Sequence, residues 1–358
     1  MHENLTGSGN RVLDELLMAR GPGGQESEVR SVCHAELVKH CDRVWTDPAG
    51  NLIGVVHGSL HDSGAIAVDG VLVMAHLDEI AMVVKRVEPD GTLRVIALGG
   101  ANPVNFGVCP VDILVGGSSL PGVLSFGSMH VTADSPQGRD VQTGAVQWKD
   151  VHVITRLSAE DLRNHGVRPG TRVVLSQHWR RPWRVNDAIA AHFLDDRAPV
   201  VACLEAAALV ASRKQELHHD AYFVFTTMEE ESNAGAMYAA RTLPADITIA
   251  VEVGPVMAEY ATRLSIDPII STGDMKAYYT RAVAEQLQRA AEHCGYDPQY
   301  ALLLDFASDA SAVLSSGICA QAGCIAIPTE NTHGYEMILS GAISACARTL
   351  SQYLVDLK

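Results

Sequence analysis

Seven side chains of the types that hold metal ions or move protons stand mostly where an apolar run stops: His76, Asp78, Asp195, Glu229, Glu230, Glu252 and His333. The clearest case is Val71-Leu72-Val73-Met74-Ala75, a run rich in β-branched residues that ends at His76-Leu77-Asp78-Glu79. A buried strand that ends in ionisable groups is costly unless those groups face a cleft or bind something. If these ends share one cleft, the carboxylates repel, each close pair by roughly 4 kcal/mol at ~4 Å and an effective dielectric of ~20. Two divalent ions beside two imidazoles reverse that sign. Mixed histidine and carboxylate ligands favour Zn²⁺, with Co²⁺ or Mn²⁺ as alternatives. Two ions bridged by a carboxylate and a water activate that water, and a spare carboxylate serves as general base.

Each signal has a bland reading. Glu229-Glu230-Glu231 suits a solvated turn, His333 a surface loop, and Asp195-Asp196-Arg197 a helix cap with a surface ion pair. Their joint placement favours the site. The elements that must carry it alternate. Strands are predicted at Val44–Thr46, Leu52–Val56, the run ending at His76, Ala221–Met228, Ile247–Val251 and Cys324–Pro328. Helices are predicted over residues 11–20, Glu26 to about His40, Ala198 to about Arg213, Asn233 to Arg241, Ala277 to Cys294 and at the C-terminus. Glu252 is expected just past its strand, and Asp195 at a helix start. Strand ends in open α/β sheets line such clefts.

Between 82 and 177 the texture changes to short β-like runs separated by Gly and Pro, the mark of a small barrel or sandwich, with a hairpin at Pro89-Asp90-Gly91 and a capped short helix from Ser158. The expected class is therefore α/β: an open mixed sheet flanked by helices, built from 1–81 and 178–358, with a small β-barrel domain of 82–177 inserted. A chain of 358 residues has room for both. Its 27 Lys and Arg against 42 Asp and Glu give a net charge of −15, which argues against nucleic acid and anionic membranes as main partners. No apolar run approaches the ~20 residues that span a bilayer. Met1-His2-Glu3-Asn4 does not read as a signal peptide. Eight scattered cysteines without a Cys-x-x-Cys suit reduced thiols and a cytoplasmic location.

Over nearly its whole length the chain resembles the tetrahedral (TET) aminopeptidases, also called glutamyl or deblocking aminopeptidases, a family of di-metal peptidases with a zinc-exopeptidase-like (phosphorylase/hydrolase-like) sheet. The resemblance rests on Asp47-Pro48-Ala49-Gly50-Asn51-Leu52-Ile53, Ala75-His76-Leu77-Asp78-Glu79-Ile80, Leu194-Asp195-Asp196-Arg197, the Glu229-Glu230 pair, Val251-Glu252-Val253 and Thr332-His333-Gly334-Tyr335-Glu336, in that order. It implies that Asp195 bridges two ions, that His76 and Glu252 complete one, and that Glu230 and His333 complete the other. It further implies Glu229 as general base, Asp78 as the group orienting His76, and Asp309 near the substrate. The barrel insertion corresponds to an assembly and access domain, and the implied partners are short peptides with a free N-terminus and copies of the same chain, from dimer to dodecamer.

The expected function is removal of the N-terminal residue of short peptides. The alternative is a di-metal amidohydrolase or deacylase of N-acylated amino acids or peptides. A metal-free glycosidase would leave His76 and His333 unexplained. Four positions depart from the family pattern: Glu231-Ser232 follows the acidic pair where a small apolar residue and Gly are usual, and Pro199 and Phe306 each stand where a Gly is common. These touch substrate preference more than the ligand set.

Overall fold

A computed structural model describes residues 5–61, 70–128, 130 and 144–358. Met1-His2-Glu3-Asn4, read above for a leader, lies outside them. The organising element is an eight-stranded mixed sheet. Across it run Arg43–Thr46, Leu52–Val56, Ala221–Thr226, Gly70–His76, Ala245–Pro255, Gln321–Thr329, Ile269–Asp274 and Gln299–Leu303. The four central strands, from Ala221–Thr226 to Gln321–Thr329, are parallel. Parallel strands are covered on both faces, so they read as continuous apolar runs. Alternate residues of Gly70–His76 feed two cores: Val71, Val73 and Ala75 join the large one, Leu72 and Met74 a smaller one on the opposite face. Helices Leu194–Ser212 and Ala342–Asp356 pack together on the first face, and Ala234–Thr242 packs with Asp309–Ser315 on the second.

The β-rich segment folds as a closed six-stranded barrel in the order Ala81–Val87, Leu93–Leu98, His152–Ile154, Ser118–Ser125, Pro110–Val115 and Arg172–Leu175. Closure removes the exposed edges that short strands otherwise leave. The hairpin at Pro89-Asp90-Gly91 forms, and only glycine fits its corner. Gly91 has φ +80°, and a Cβ there would lie 1.8 Å from the Leu157 carbonyl oxygen. The Ser158 cap also forms: its hydroxyl accepts from the Asp161 N–H at 3.0 Å.

Two boundaries differ from the sequence expectation. The strand expected to end before Glu252 runs on to Pro255, because its ladder with Gln321–Thr329 continues through Pro255 opposite Thr329. Glu252 therefore projects from within a strand. The helix expected from Ala277 begins at Arg281, because Tyr278 bridges to Gly273 and the Thr280 N–H donates to the Ala322 carbonyl at 2.9 Å.

Barrel and sheet are joined by a fully buried cluster of one acid and two bases. Glu79 pairs with Arg180, and its Oε2 accepts from Arg197 Nη2 at 2.7 Å. Arg197 also donates to the Leu77 carbonyl at 2.5 Å. Arg180 donates to the Leu175 carbonyl at 2.9 Å and the Ala19 carbonyl at 3.1 Å, and its guanidinium lies 4.6 Å above the Phe193 ring. One cluster thus ties together the last barrel strand, the first helix, the helix after Asp195 and the turn after His76.

Candidate active site

The C-terminal ends of the parallel strands converge on a cleft of about 640 Å³ lined by His76, Asp195, Glu229, Glu230, Glu252 and His333, among others. Gly70–His76 delivers His76 at its last position, buried to 2% exposure. Ala221–Thr226 leads into the short helix Glu229–Ser232. Asp78 caps that helix: its Oδ1 accepts from the Glu229 N–H at 2.9 Å and its Oδ2 from the Glu230 N–H at 3.0 Å. The two acids are thereby fixed to the turn that follows His76. Residues with positive φ flank the site at Phe193, Met228, Asn233 and His333. These are conformations that non-glycine residues adopt at a cost, and they cluster where side chains must be aimed.

Asp195 lies at the centre. Its Oδ1 is 3.0 Å from His76 Nε2 and its Oδ2 is 3.3 Å from His333 Nε2. Each imidazole is held at its other nitrogen by a main-chain carbonyl: His76 Nδ1 by Asp78 at 3.1 Å, His333 Nδ1 by Gly100 at 3.2 Å. A carbonyl can only accept, so Nδ1 carries a proton in both rings, and Nε2 is the nitrogen left facing inward. Glu252 Oε2 stands 4.0 Å from His76 Nε2, and Glu230 Oε1 stands 3.9 Å from His333 Nε2. Two groups of donor atoms result, each compact enough to hold an ion. One is His76, Asp195, Asp196 and Glu252; the other is Asp195, Glu230 and His333. Asp195 belongs to both.

Without a cation this arrangement is electrostatically frustrated. Burial drives the Glu229 and Glu252 carboxyls well above their usual range, with neighbouring acids adding to the shift, and pushes Glu230 up to about 7. Burial pulls His76 down, but Asp196, Asp195 and Asp78 more than reverse it; His333 is likewise lifted, to about 11, by Asp195 and Glu230. Divalent cations remove the conflict by replacing those protons.

Other residues were not singled out by type and spacing. Asp196 is fully buried; its Oδ2 accepts from the His76 N–H at 2.8 Å, while its Oδ1 has no hydrogen-bond partner. Glu336 accepts from the N–H of His333 at 2.9 Å and of Asp195 at 3.0 Å, so one carboxylate clamps both backbones. Burial raises Glu336 to about 8. Asn233 donates through Nδ2 to Glu229 Oε1 at 2.7 Å and to Asp309 Oδ1 at 3.0 Å, and accepts from Lys276 through Oδ1. Asp196 had a visible signal, an acid beside an already suspected one; Glu336 had none of that kind. Asn233 had none.

Asp309 does not line the cleft. It is 2% exposed and is occupied beneath the floor by the Thr226 hydroxyl at 2.5 Å and by Asn233. Its place at the start of helix Asp309–Ser315 directs it under Glu229 rather than toward a substrate. Asp309→Asn is therefore expected to lower kcat by about 10–100-fold, the usual cost of losing an outer-layer partner, with KM little changed. Separate measurement of kcat and KM checks this; a raised KM at constant kcat would return Asp309 to the substrate's side.

A sequence model described as M42 glutamyl aminopeptidase matches residues 50–349. Over 68% of its length the chain is 25% identical to the lysyl aminopeptidase of Pyrococcus furiosus. That alignment covers 65% of the relative, and the chain spans a little under two thirds of the length of the first curated relatives it matches. Among solved structures, an aminopeptidase from the archaeon Desulfurococcus kamchatkensis superposes with a TM-score of 0.86 at 23% identity, over 99% of this chain and 96% of the other. The TET1 peptidase of Pyrococcus horikoshii gives 0.83 at 21% identity, over 98% and 100%. No helix among the described residues is long and apolar enough to cross a membrane.

Proposed function

Because this chain belongs to the M42 glutamyl aminopeptidase family, we propose that it is a metal-dependent aminopeptidase that hydrolyses the first peptide bond of short peptides. The observation that carries the reading is Asp195, whose two oxygens face the Nε2 atoms of two imidazoles. His76, Asp195 and Glu252 would hold one divalent ion, and Asp195, Glu230 and His333 the other, Zn²⁺ being the ion that best suits the donors, with Co²⁺ or Mn²⁺ as substitutes. Such a pair, when bound, activates a water and polarises a carbonyl.

The chain's own residues do the rest. Glu229 lies in the cleft outside both donor groups. Asn233 engages its Oε1, which leaves Oε2 to take a proton from the attacking water and return it to the leaving amine. Burial keeps that carboxyl proton-avid, as a general base working near neutrality requires. Asp78 fixes the amides of Glu229 and Glu230, and so holds base and ligand in one register. The Pyrococcus horikoshii relative assembles into a tetrahedron or a large octahedral shell. A homo-oligomer between dimer and dodecamer is proposed here too, with the barrel as assembly and access domain. All eight cysteines are free thiols, which supports a cytoplasmic setting.

Removal of metal by a chelator is expected to abolish release from unblocked aminoacyl-p-nitroanilides, and Zn²⁺, Co²⁺ or Mn²⁺ to restore it. N-acylated substrates should stay uncleaved throughout. Cleavage of the acylated set alone would replace this reading with a deacylase, and chelator-insensitive cleavage would remove the ions from it.

A further inference from the structure

A second cluster of ligand-type side chains lies at the other end of the sheet. Val56 pairs with Ala221, and this sets His57 beside Asp220. Asp220 is 2% exposed, and its Oδ2 receives His57 Nδ1 at 3.0 Å and His61 Nδ1 at 3.1 Å. The Gly58 N–H donates to its Oδ1 at 2.9 Å, and the Tyr222 hydroxyl reaches Oδ2 at 3.4 Å. We propose that His57, His61 and Asp220 form a further divalent transition-metal site, separate from the catalytic cleft. Asp220 precedes the strand whose far end leads to Glu229, so the six-residue strand separates the two sites by roughly 20 Å.

Three observations support it. The first is spacing. Bonds of about 2.1 Å place two donors about 3.0 Å apart at right angles and about 3.4 Å apart at the tetrahedral angle; the two imidazole nitrogens stand 3.0 and 3.1 Å from the carboxylate oxygen. Two histidines and one carboxylate on one face leave the remaining positions to water, a set used by several divalent metals.

The second is charge. A buried carboxylate needs a cation. Among the described residues the ion pairs of Asp220 are with these two imidazoles, which are neutral unless they take up a proton.

The third is rigidity. The loop carrying both histidines is bonded to its neighbour, with Ser59 N–H to the Leu217 carbonyl at 2.9 Å and Leu60 N–H to the His218 carbonyl at 3.1 Å. A Cβ at Gly58 would lie 2.3 Å from the His218 carbonyl oxygen, so glycine is what lets the loop close here. The His57 N–H is held by Asp42 at 2.8 Å. The rings stack with centroids 3.8 Å apart and planes at 22°. Sharing one ion therefore requires each ring to turn about its Cβ–Cγ bond, a broad and inexpensive torsion.

The test is the zinc content of the full-length protein after equilibrium dialysis against Zn²⁺, read by elemental analysis. Wild type is expected to retain one Zn²⁺ per chain more than His57→Ala/His61→Ala. His61→Ala alone, at the more exposed ligand, should weaken the extra ion at least tenfold in calorimetric titration. Equal zinc in wild type and the double variant overturns the proposal. If circular dichroism shows the double variant misfolded, the His61→Ala titration decides in the same way. The readout is a difference in bound zinc, so it does not depend on the aminopeptidase reading.

Discussion

Glu229→Gln is expected to lower kcat by about 10²–10⁴-fold, the range that a general base contributes, while the chain keeps its full complement of catalytic metal. The two halves of this expectation come from different observations. Glu229 lies in the cleft but belongs to neither donor group, so an amide there removes no ligand. Glutamine keeps an oxygen for the Asn233 bond at Oε1 and loses only the capacity to accept a proton. Steady-state rates on an unblocked substrate, taken beside metal content, separate the cases. An unchanged rate would remove Glu229 from the chemistry. A lost rate with lost metal would make it a ligand.

Glu79→Gln is expected to destabilise the fold by about 3–5 kcal/mol, as is usual when one partner of a buried ion pair is removed. Among the described residues Glu79 is the only acid that pairs with either arginine, and its neutral replacement would leave the guanidiniums of Arg180 and Arg197 facing each other out of water. The control is Glu88→Gln. Glu88 pairs with Arg86 at the surface, where such pairs contribute little, and no measurable change is expected there. Urea unfolding midpoints compare the two. A Glu79→Gln shift as small as that of Glu88→Gln would mean that the arginines can rehydrate and that the joint between barrel and sheet is loose.

The cluster also shows where sequence reading reaches its limit. His76, Glu229, Glu230 and His333 could be found because a buried parallel strand leaves a sharp change from apolar to ionisable at its end. Glu252 obeyed that rule only in part, since its strand continues to Pro255 and the change in polarity is one acid inside a ladder. Glu79 stands beside Asp78 in the same motif, yet it turns away from the cleft to meet Arg180, about a hundred residues on. Pairings at such separations have no local signature. The same holds for Asn233 beneath Glu229 and for Glu336 behind Asp195. The barrel was readable as many short strands separated by turns, but the order of its strands was not, because register between distant strands depends on the whole set. Asp309 was expected near the substrate by resemblance; its contacts with Thr226 and Asn233 place it beneath Glu229.

His333 reaches across to the barrel's Gly99-Gly100 turn, and this limits how freely the two halves of the molecule can diverge. A Cβ at Gly100 would lie 2.7 Å from the His333 ring, and one at Gly99 would lie 2.9 Å from the Glu230 Cβ. The turn is therefore moulded onto the cleft, and its carbonyl selects the tautomer of His333. A change to the barrel's inner rim would therefore disturb the His333 imidazole in the same event. The barrel is thus not a detachable module: its inner rim holds two side chains of the cleft in place.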